Sequence, residues 1–416
     1  MPNATGLDER MASAVGRIGR AEIMVGIPSF RNAATVGHVA RTVAQGLERH
    51  FPHALAVVVN SDGGSDDGTR DRVAESLDGT PHVVGTYVGL PGKGSAFRAI
   101  FEAAARLGVR ACAVVDSDLR SITPEWIERL LTPILDGKAD YVTPLYARHK
   151  HDGTITNSIA YPLTRALYGR RVRQPIGGEF GFSGELARTF LEGGVLGGPE
   201  VWDTDVARFG IDIYMTTTAL ARGARVGQAF LGAKIHDPKD PGADLAPMFT
   251  QVVGTAFRLA AKSETRWREV RGSEAAPVFG EVSVVDPEEV RADSALLVRK
   301  LRASAQTEAA TWDQALSEDA RAAVRRALDE EIPHSLAGET WAKIVYDLLA
   351  ASARDPKRTD AYVRALVPLY FGRVAAFIDD ASELTTAGSE RLIEDQASAF
   401  ERAKDHLRGR WAPAPS

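Results

Sequence analysis

Apolar and polar positions alternate in blocks along the first 150 residues. Short apolar runs, which predict buried strands, are followed by polar turns and then by apolar residues at helical spacing. The runs place strands at 22–27, 54–60, 82–88, 111–116 and 139–145, and helices at 33–49, 67–77, 94–107 and 123–135. This order predicts an α/β fold with a mostly parallel sheet, whose ligand-binding loops lie at the carboxyl edge.

The pattern changes along the rest of the chain. A helical pattern at 153–167 is followed by a glycine-rich region, a helix at 211–222 and a last strand at 224–231. The character changes beyond about residue 265: residues 269–290 look irregular, and from 291 onward Ala, Leu, Arg and Glu recur at helical spacing, which predicts four or five packed helices. We therefore predict a leader at 1–20, an α/β domain at 21–265 and a helical C-terminal domain at 266–416.

Composition narrows the class of protein. The chain has 416 residues, a net charge of −5 and an isoelectric point near 6.0, without the basic excess of a general nucleic-acid-binding protein. Its one cysteine, Cys112, cannot form a disulfide within the chain and fits a small buried side chain. No apolar run reaches the about 18 residues of a membrane span, and residues 1–20 lack a secretory signal pattern. We therefore expect a cytoplasmic protein without a membrane span.

Four polar motifs follow the predicted strands. They are Ile27-Pro28-Ser29-Phe30-Arg31-Asn32, Asp62-Gly63-Gly64-Ser65-Asp66-Asp67-Gly68-Thr69, Gly92-Lys93-Gly94 and Asp116-Ser117-Asp118. Carboxylates at a sheet edge suit hard cations such as Mg²⁺ and Mn²⁺. Gly92-Lys93-Gly94 stands at the predicted start of the third helix, with Lys93 between two glycines. Asp66 and Asp67 are also well placed as caps of the following helix.

In this order the motifs resemble those of nucleotide-sugar glycosyltransferases with the Rossmann-like A-type (GT-A) fold. Three later segments, Gln174 to Glu179, Phe209 to Asp212 and Ile235 to Pro238, resemble a narrower group, the retaining mannosylglycerate and glucosyl-3-phosphoglycerate synthases. The resemblance covers residues 20–245 approximately. It implies transfer of mannose or glucose from a GDP- or UDP-sugar to D-glycerate or 3-phosphoglycerate, with Mg²⁺ or Mn²⁺ as the cofactor.

The resemblance also implies roles for individual residues. Asp118 and His236 would bind the metal ion, and Asp212, Lys93 and Glu179 would be catalytic. The nucleotide site would comprise Pro28, Phe30, Asp62, Lys93 and Asp116; the sugar site Gly178, Glu179 and Asp212; and the acceptor site Arg148, Thr154 and Thr156. These assignments are carried over position by position and are expectations at this point.

The basic run Arg148-His149-Lys150-His151 departs from the family pattern. It fits either a solvated loop or a group that binds a phosphate on the acceptor. A small anion with a free hydroxyl suits Arg148, Thr154 and Thr156 better than a sugar polymer, which would need aromatic platforms. We favour D-glycerate over its 3-phosphate.

Other functions remain open at the level of sequence. An inverting transferase of the same fold would use Asp212 as a general base. A nucleotidyltransferase would also combine a lysine with aspartates, but a glycine-rich loop would be expected where Pro28-Ser29-Phe30-Arg31 stands. A third possibility is a sugar-nucleotide-binding protein without activity. We further expect a homo-oligomer that binds a nucleotide-sugar donor and a small hydroxy-acid acceptor.

Overall fold

The secondary structure follows the predicted order over the first 147 residues, whereas the described part of the chain beyond residue 291 contains seven α-helices, more than the four or five predicted. The computed structural model describes residues 5–235, 245–283 and 287–411. Within them the strands are β1 Ile23–Ser29, β2 Ala56–Asp62, β3 His82–Thr86, β4 Ala111–Val114, β5 Tyr141–Ala147, β6 Arg170–Arg171, β7 Phe180–Ser183, β8 Val226–Ala233, β9 Glu274–Ala275 and β10 Val278–Phe279.

The described residues also form seventeen α-helices. They are α1 Glu9–Ile18, α2 Val36–His50, α3 Thr69–Ser76, α4 Lys93–Leu107, α5 Pro124–Leu135, α6 Tyr161–Tyr168, α7 Gly184–Leu191, α8 Ile211–Ala221, α9 Leu245–Lys262, α10 Glu264–Glu269, α11 Ser294–Ala303, α12 Ala305–Ala315, α13 Glu318–Asp329, α14 Gly338–Arg354, α15 Thr359–Asp380, α16 Thr386–Arg402 and α17 Lys404–Arg410. A π-helical turn, Thr156–Ala160, precedes α6.

The central sheet has the strand order β10-β8-β5-β7-β4-β1-β2-β3. All neighbouring pairs are parallel except those of β7, which is antiparallel to both β4 and β5. The predicted α/β class with a mostly parallel sheet is therefore confirmed. β1 is buried at every position and β2 at all but its first, as expected of strands covered on both faces.

Helices cover both faces of this sheet. Aliphatic side chains of α2 and α5 pack against β1 and β4 on one face. On the other, Phe101 of α4 meets Phe182 of β7 and Phe190 of α7, with ring centroids 5.5 and 5.3 Å apart. Packing on both faces holds the strands rigidly, so the loops that follow the carboxyl ends of the strands are well positioned.

Strand β7 was not predicted from the sequence. It has four residues and lies in a glycine-rich stretch, so it lacks the length and alternation that mark a strand. Gly181 is required there, because a Cβ at this position would lie 2.1 Å from the Leu130 carbonyl oxygen of α5. The close approach of α5 thus explains a glycine that looks like a turn signal in the sequence.

The predicted leader contains a helix, and it contacts the end of β3. Leu7 bridges Tyr87 just beyond β3, and Asp8 caps α1 by accepting from the Met11 amide at 2.6 Å. The second Asp8 oxygen accepts from the Thr86 amide at 3.0 Å. Residues 5–18 therefore form part of the edge of the α/β fold.

The chain divides into two compact units. The sheet unit comprises Met1–Ala147, Val172–Asp240 and Ala276–Pro287, and the helical unit comprises Arg148–Arg171, Pro241–Ala275 and Glu288–Ser416. These bounds differ from the predicted division at residue 265, because residues 148–171 pack with later helices. Within the helical unit Arg165 pairs with Glu394 at 2.8 Å and with Glu401 at 2.9 Å.

One helical segment in the described part of the chain is long and apolar enough to cross a membrane by length and composition alone. It is Pro356–Asp380, which includes α15, and 72% of its most apolar stretch is buried inside the protein. Core helices of other proteins have the same character, so this segment is weak evidence for a span. The predicted absence of a membrane span stays a prediction.

Candidate active site

The candidate site lies in the sheet unit, beyond the carboxyl ends of its parallel strands. β1 and β2 end side by side, with Ser29 paired to Asp62 in register. α4 begins at Lys93 after β3, and Asp116 follows the end of β4. Parallel topology brings these segments to one edge, as the sequence predicts.

Two glycines let the start of α4 approach a neighbouring loop. A Cβ at Gly92 would lie 2.5 Å from the Ala207 carbonyl oxygen, and one at Gly94 would lie 1.8 Å from that of Val206. The Gly94 amide donates to the Arg208 carbonyl at 3.1 Å. Glycine is needed at both positions because the loop leading into α8 lies against the helix start.

That contact brings Lys93 between two carboxylates. Its ammonium lies 2.9 Å from Asp116 Oδ1 and 3.4 Å from Asp212 Oδ1, the latter at the start of α8. Only 18% of the Lys93 side chain is exposed. Burial alone would lower the lysine pKa, but the carboxylates of Asp116, Asp212 and Glu179 outweigh it and raise the pKa above its ordinary value. Lys93 is therefore a fixed positive charge.

A second lysine, Lys234, lies on the other side of Asp116. Its ammonium is 3.1 Å from Asp116 Oδ2 and 2.9 Å from Glu179 Oε2, and it donates to the Gly177 carbonyl at 2.7 Å. The side chain is 7% exposed. Sequence analysis missed Lys234, although its place one residue beyond β8 is a recognisable signal for a sheet-edge residue.

Gly178 lies against the contact between Lys234 and Asp116. Its φ is +96°, and a Cβ here would lie 2.2 Å from Asp116 Oδ2 and 2.9 Å from Lys234 Nζ. Both the backbone conformation and the space exclude other side chains. The predicted sugar-site glycine thus borders the charged cluster.

Glu179 is fully buried within the same cluster. Its carboxylate contacts Lys234, accepts a short hydrogen bond from the Tyr146 hydroxyl, and lies 3.4 Å from the Asp116 amide. Burial raises the pKa of Glu179 to about 7, against the Lys234 ammonium, which lowers it. The carboxyl group therefore changes its charge close to neutral pH.

Asp212 belongs to the cluster through both oxygens. One oxygen faces Lys93, and the other accepts from the Gly177 amide at 3.3 Å. The structure therefore brings together five of the positions predicted for the site, and its own contacts add Lys234 and Tyr146. The five predicted positions are Lys93, Asp116, Gly178, Glu179 and Asp212.

The predicted nucleotide residues of β1 and β2 lie in and beside a tight loop. Pro28 is a buried strand residue paired with Ser61. Asp62 is fully buried and accepts four hydrogen bonds of 2.6 to 2.9 Å. The donors are the Ser29 hydroxyl, the Gly64 amide, and both the amide and the hydroxyl of Ser65. These bonds shape the loop after β2, and a role of Asp62 in nucleotide binding stays a prediction.

Phe30 is the exposed aromatic residue of this region. It is 56% exposed, and the next residue, Arg31, has a left-handed φ of 54°. Arg31 pairs with Asp66 through two contacts of 3.0 Å, so the expectation that Asp66 caps α3 is wrong. The N-cap residue of α3 is Gly68, so Asp67 is not the cap either, although its carboxylate accepts from the amide of Thr69, the first helical residue, at 3.1 Å.

The predicted metal residues are only partly described. Asp118 is half-buried in the turn after β4, and His236 lies outside the described residues. Ile235, which precedes the gap, accepts from the Arg120 amide and donates to the Ser121 hydroxyl, both at 2.9 Å. In the described ranges, no group of three or more His, Cys, Asp and Glu side chains is arranged to hold a metal ion.

The predicted acceptor residues belong to the helical unit. Arg148 lies 3.4 Å from Asp152, and Thr154 shares a hydrogen bond of 2.5 Å with the Tyr370 hydroxyl. Thr156 is buried and begins the π-helical turn. Such turns occur frequently at functional sites. The role of these three residues stays a prediction.

Comparison with known families gives no matching family model. Comparison with curated proteins gives no match either. Solved structures similar to this chain include that of glucosyl-3-phosphoglycerate synthase from Mycobacterium tuberculosis in complex with Mn²⁺, UDP and glucosyl-3-phosphoglycerate. It is 22% identical over 60% of this chain and 84% of its own, with a TM-score of 0.44.

Two further structures of that synthase show the same level of likeness. The complex with Mn²⁺, UDP and phosphoglyceric acid is 24% identical over 60% of this chain and 82% of its own, with a TM-score of 0.44. The complex with Mg²⁺ and UDP is 21% identical over 62% and 85%, with a TM-score of 0.43. The synthase is one of the group that the sequence motifs resemble. Likeness at this level does not assign an activity to the present chain.

Proposed function

We propose that the protein is a metal-dependent retaining glycosyltransferase with a GT-A domain. It moves mannose or glucose from a GDP- or UDP-sugar to D-glycerate or 3-phosphoglycerate. The observation that carries this proposal is the position of Lys93, which lies between Asp116 and Asp212 at the carboxyl edge of a parallel sheet. The site thus supplies cations for a diphosphate and fixed carboxylates for sugar hydroxyls, as a nucleotide-sugar requires.

The donor diphosphate is assigned to the two lysines. Lys93 and Lys234 hold opposite oxygens of Asp116 and are mostly buried, so their charges are weakly screened. As the bond from the sugar to the diphosphate breaks, negative charge grows on the leaving phosphate oxygen. An ammonium already in place stabilises this charge without rearrangement.

The sugar ring is assigned to Glu179 and Asp212. Lysine and backbone contacts hold both carboxylates. A fixed carboxylate accepts from neighbouring sugar hydroxyls and so orients the ring. Gly178 borders this cluster, because a Cβ at its position would overlap Asp116. Phe30, exposed on the β1 loop, is assigned to the base of the nucleotide.

The metal ion is assigned to Asp118 and His236. A carboxylate and an imidazole, completed by diphosphate oxygens and water, are a suitable donor set for Mn²⁺ or Mg²⁺. When bound, the ion would neutralise the charge of the leaving diphosphate. The bonds of Ile235 to Arg120 and Ser121 support this assignment, because they tie the residue before His236 to the segment after Asp118.

We infer retention of the α-configuration through front-face attack. Asp212 and Glu179 are both engaged by lysines, and in this course they orient the sugar instead of forming a covalent intermediate. The acceptor hydroxyl attacks the anomeric carbon on the face from which the diphosphate leaves. The departing phosphate oxygen takes the hydroxyl proton, so no separate general base is needed.

The proposal is tested by the stereochemistry and metal dependence of the product. We expect NMR of the product's anomeric proton to show an α-linkage and activity to be lost in EDTA and restored by Mg²⁺ or Mn²⁺. Asp118→Ala and His236→Ala should abolish activity while the circular dichroism spectrum is kept. A β-linked product would favour the inverting alternative with Asp212 as base, and release of pyrophosphate would indicate a nucleotidyltransferase.

A further inference from the structure

The loop after β5, residues 148–153, is called the acceptor loop below. It carries four consecutive basic side chains, Arg148, His149, Lys150 and His151, and belongs to the helical unit. From sequence, such a run can serve as a phosphate site. The contacts inside the helical unit give Lys150 a different role.

Lys150 donates to three backbone carbonyls. Its Nζ lies 2.7 Å from the oxygen of Ala381, 2.9 Å from that of Ser382 and 2.8 Å from that of Leu384. An ammonium has three N–H donors, so all of them are used. These carbonyls follow the end of α15, where the helix dipole favours a positive charge. Lys150 therefore caps α15, and its donors are not available to an anion.

The histidines of the loop are also engaged with backbone groups. His151 Nδ1 lies 3.1 Å from the Val290 carbonyl, which can only accept, so Nδ1 carries the proton. His149 Nδ1 accepts from the His151 amide at 3.3 Å, which requires that nitrogen to be unprotonated. Burial lowers the pKa of His149, with His151 and Lys150 adding to the effect. His149 thus adds no fixed positive charge.

Thr154, the residue after the acceptor loop, also contacts α15. The Thr154 hydroxyl lies 2.5 Å from that of Tyr370 in α15. Tyr370 is buried, and its ring packs on Phe249 with centroids 4.5 Å apart. Lys150, and Thr154 just after the acceptor loop, therefore attach this segment both to the residues that follow α15 and to Tyr370 within the helix.

We propose that Lys150 is a positioning residue of the acceptor site and does not bind a phosphate. It locks the acceptor loop to the end of α15 and so fixes the backbone that carries Arg148 and its ion-pair partner Asp152, where the acceptor carboxylate is proposed to bind. This inference rests on the proposed function for the identity of the acceptor. A positioned group binds without paying the entropy of ordering its loop, so loss of Lys150 weakens every acceptor that Arg148 binds.

The test compares Lys150→Met and Lys150→Arg with Lys138→Met, a control that removes an exposed lysine of the sheet unit. Steady-state kinetics are measured with D-glycerate and with 3-phosphoglycerate. We expect Lys150→Met to raise the acceptor KM about tenfold for each acceptor used, because charge-assisted hydrogen bonds are lost, while the donor KM stays unchanged. Lys150→Arg should keep the acceptor KM close to the wild-type value, because a guanidinium also donates to carbonyls.

Hydrogen exchange provides a readout that does not depend on activity. In Lys150→Met, amides of residues 148–153 and 381–384 should exchange faster, and those of β1 should not. Tyr370→Phe keeps the ring, removes the contact to Thr154, and should raise the acceptor KM in the same direction.

Three results would overturn the inference. One is a KM increase confined to 3-phosphoglycerate, which would make Lys150 a phosphate ligand. Another is unchanged exchange in the acceptor loop of Lys150→Met, and the third is a donor KM that rises as much as the acceptor KM. A wild-type protein without acceptor-dependent turnover would contradict the proposed function instead, and the exchange measurement would still decide whether Lys150 holds the loop.

Discussion

The ammonium of Lys93 and the carboxylate of Asp116 lie 2.9 Å apart, one at the start of α4 and the other just beyond β4. They meet because parallel strands end at one edge of the sheet, where the following helices begin. Lys234 holds the second oxygen of the same carboxylate. Asp116 therefore holds two lysines at this edge of the sheet, as the proposed diphosphate site requires.

Lys93→Met should weaken the binding of nucleoside diphosphate. A charge-assisted contact to phosphate is worth about 1.5–3 kcal/mol, which corresponds to roughly a tenfold to hundredfold increase in Kd. Calorimetry with UDP and GDP measures the change, and Lys138→Met serves as the control for removing a lysine. Unchanged affinity would exclude Lys93 from the diphosphate site.

Gly178→Ala should disrupt the charged cluster. The added Cβ overlaps Asp116 and Lys234, and the left-handed backbone adds about 1–2 kcal/mol of strain. Gly79→Ala is a matched control, because Gly79 also has a positive φ, +81°, but open space around its Cβ position. We expect Gly178→Ala to lower Tm more than the control and to lose most activity. Equal Tm shifts and full activity would contradict the packing described here.

Activity should rise with pH through the ionisation of Glu179. Its pKa is raised by burial to about 7, and the ionised carboxylate accepts hydrogen bonds from sugar hydroxyls more strongly than the protonated group does. Stability changes in the opposite direction. The folded protein keeps the proton at pH values where the unfolded chain has lost it, so stability falls as pH rises from the ordinary glutamate pKa to about 7.

Glu179→Gln separates these two effects. The variant should lose most activity at all pH values, and the dependence of its Tm on pH should be weaker than that of the wild type between pH 5 and 7, roughly the window set by the raised pKa. The measurements are pH profiles of donor kcat/KM and of Tm. If donor kcat/KM of Glu179→Gln falls at low pH as it does in the wild type, a group other than Glu179 causes the pH dependence.

A chain ending at residue 265 should be unstable or poorly active. Within the helical unit, Trp341 donates to the Ser158 carbonyl at 2.8 Å, and Arg165 pairs with Glu394 and Glu401. Truncation removes these partners and leaves Arg165, which is 7% exposed, without its carboxylates. Thermal unfolding, size-exclusion chromatography and kinetics test this. Wild-type kinetics with the wild-type oligomeric state would contradict the prediction.

Much of the sheet unit could be predicted from the sequence. Strands buried on both faces appear as continuous apolar runs, so β1, β2 and β4 fall within one or two residues of the predicted positions. The motifs Gly92-Lys93-Gly94 and Asp116-Ser117-Asp118 meet because parallel topology alone places them together. Local pattern and topology were sufficient there.

Other contacts depend on the register and shape of the folded chain. Lys234 reaches Glu179 only because β8 lies beside β5, and Tyr146 reaches it from β5 itself. Arg31 takes Asp66 away from the helix cap because its left-handed backbone turns the side chain toward that residue. Lys150 caps a helix more than two hundred residues away in the chain. The sequence marks Lys234 as a residue beyond a strand end, but the partners in these pairings cannot be read from local sequence.

The measurement that tests the central claim most directly is nucleoside diphosphate release in a matrix of donors and acceptors. GDP- and UDP-linked mannose and glucose are each combined with D-glycerate, 3-phosphoglycerate or no acceptor, in Mg²⁺ or Mn²⁺ and in EDTA. We predict release that requires both the metal and one of the two acids, with D-glycerate the better acceptor, and that is lost in Lys93→Met. Release that is independent of acceptor and metal, or no release from any donor, would contradict the assignment of the Lys93–Asp116–Asp212 cluster to glycosyl transfer.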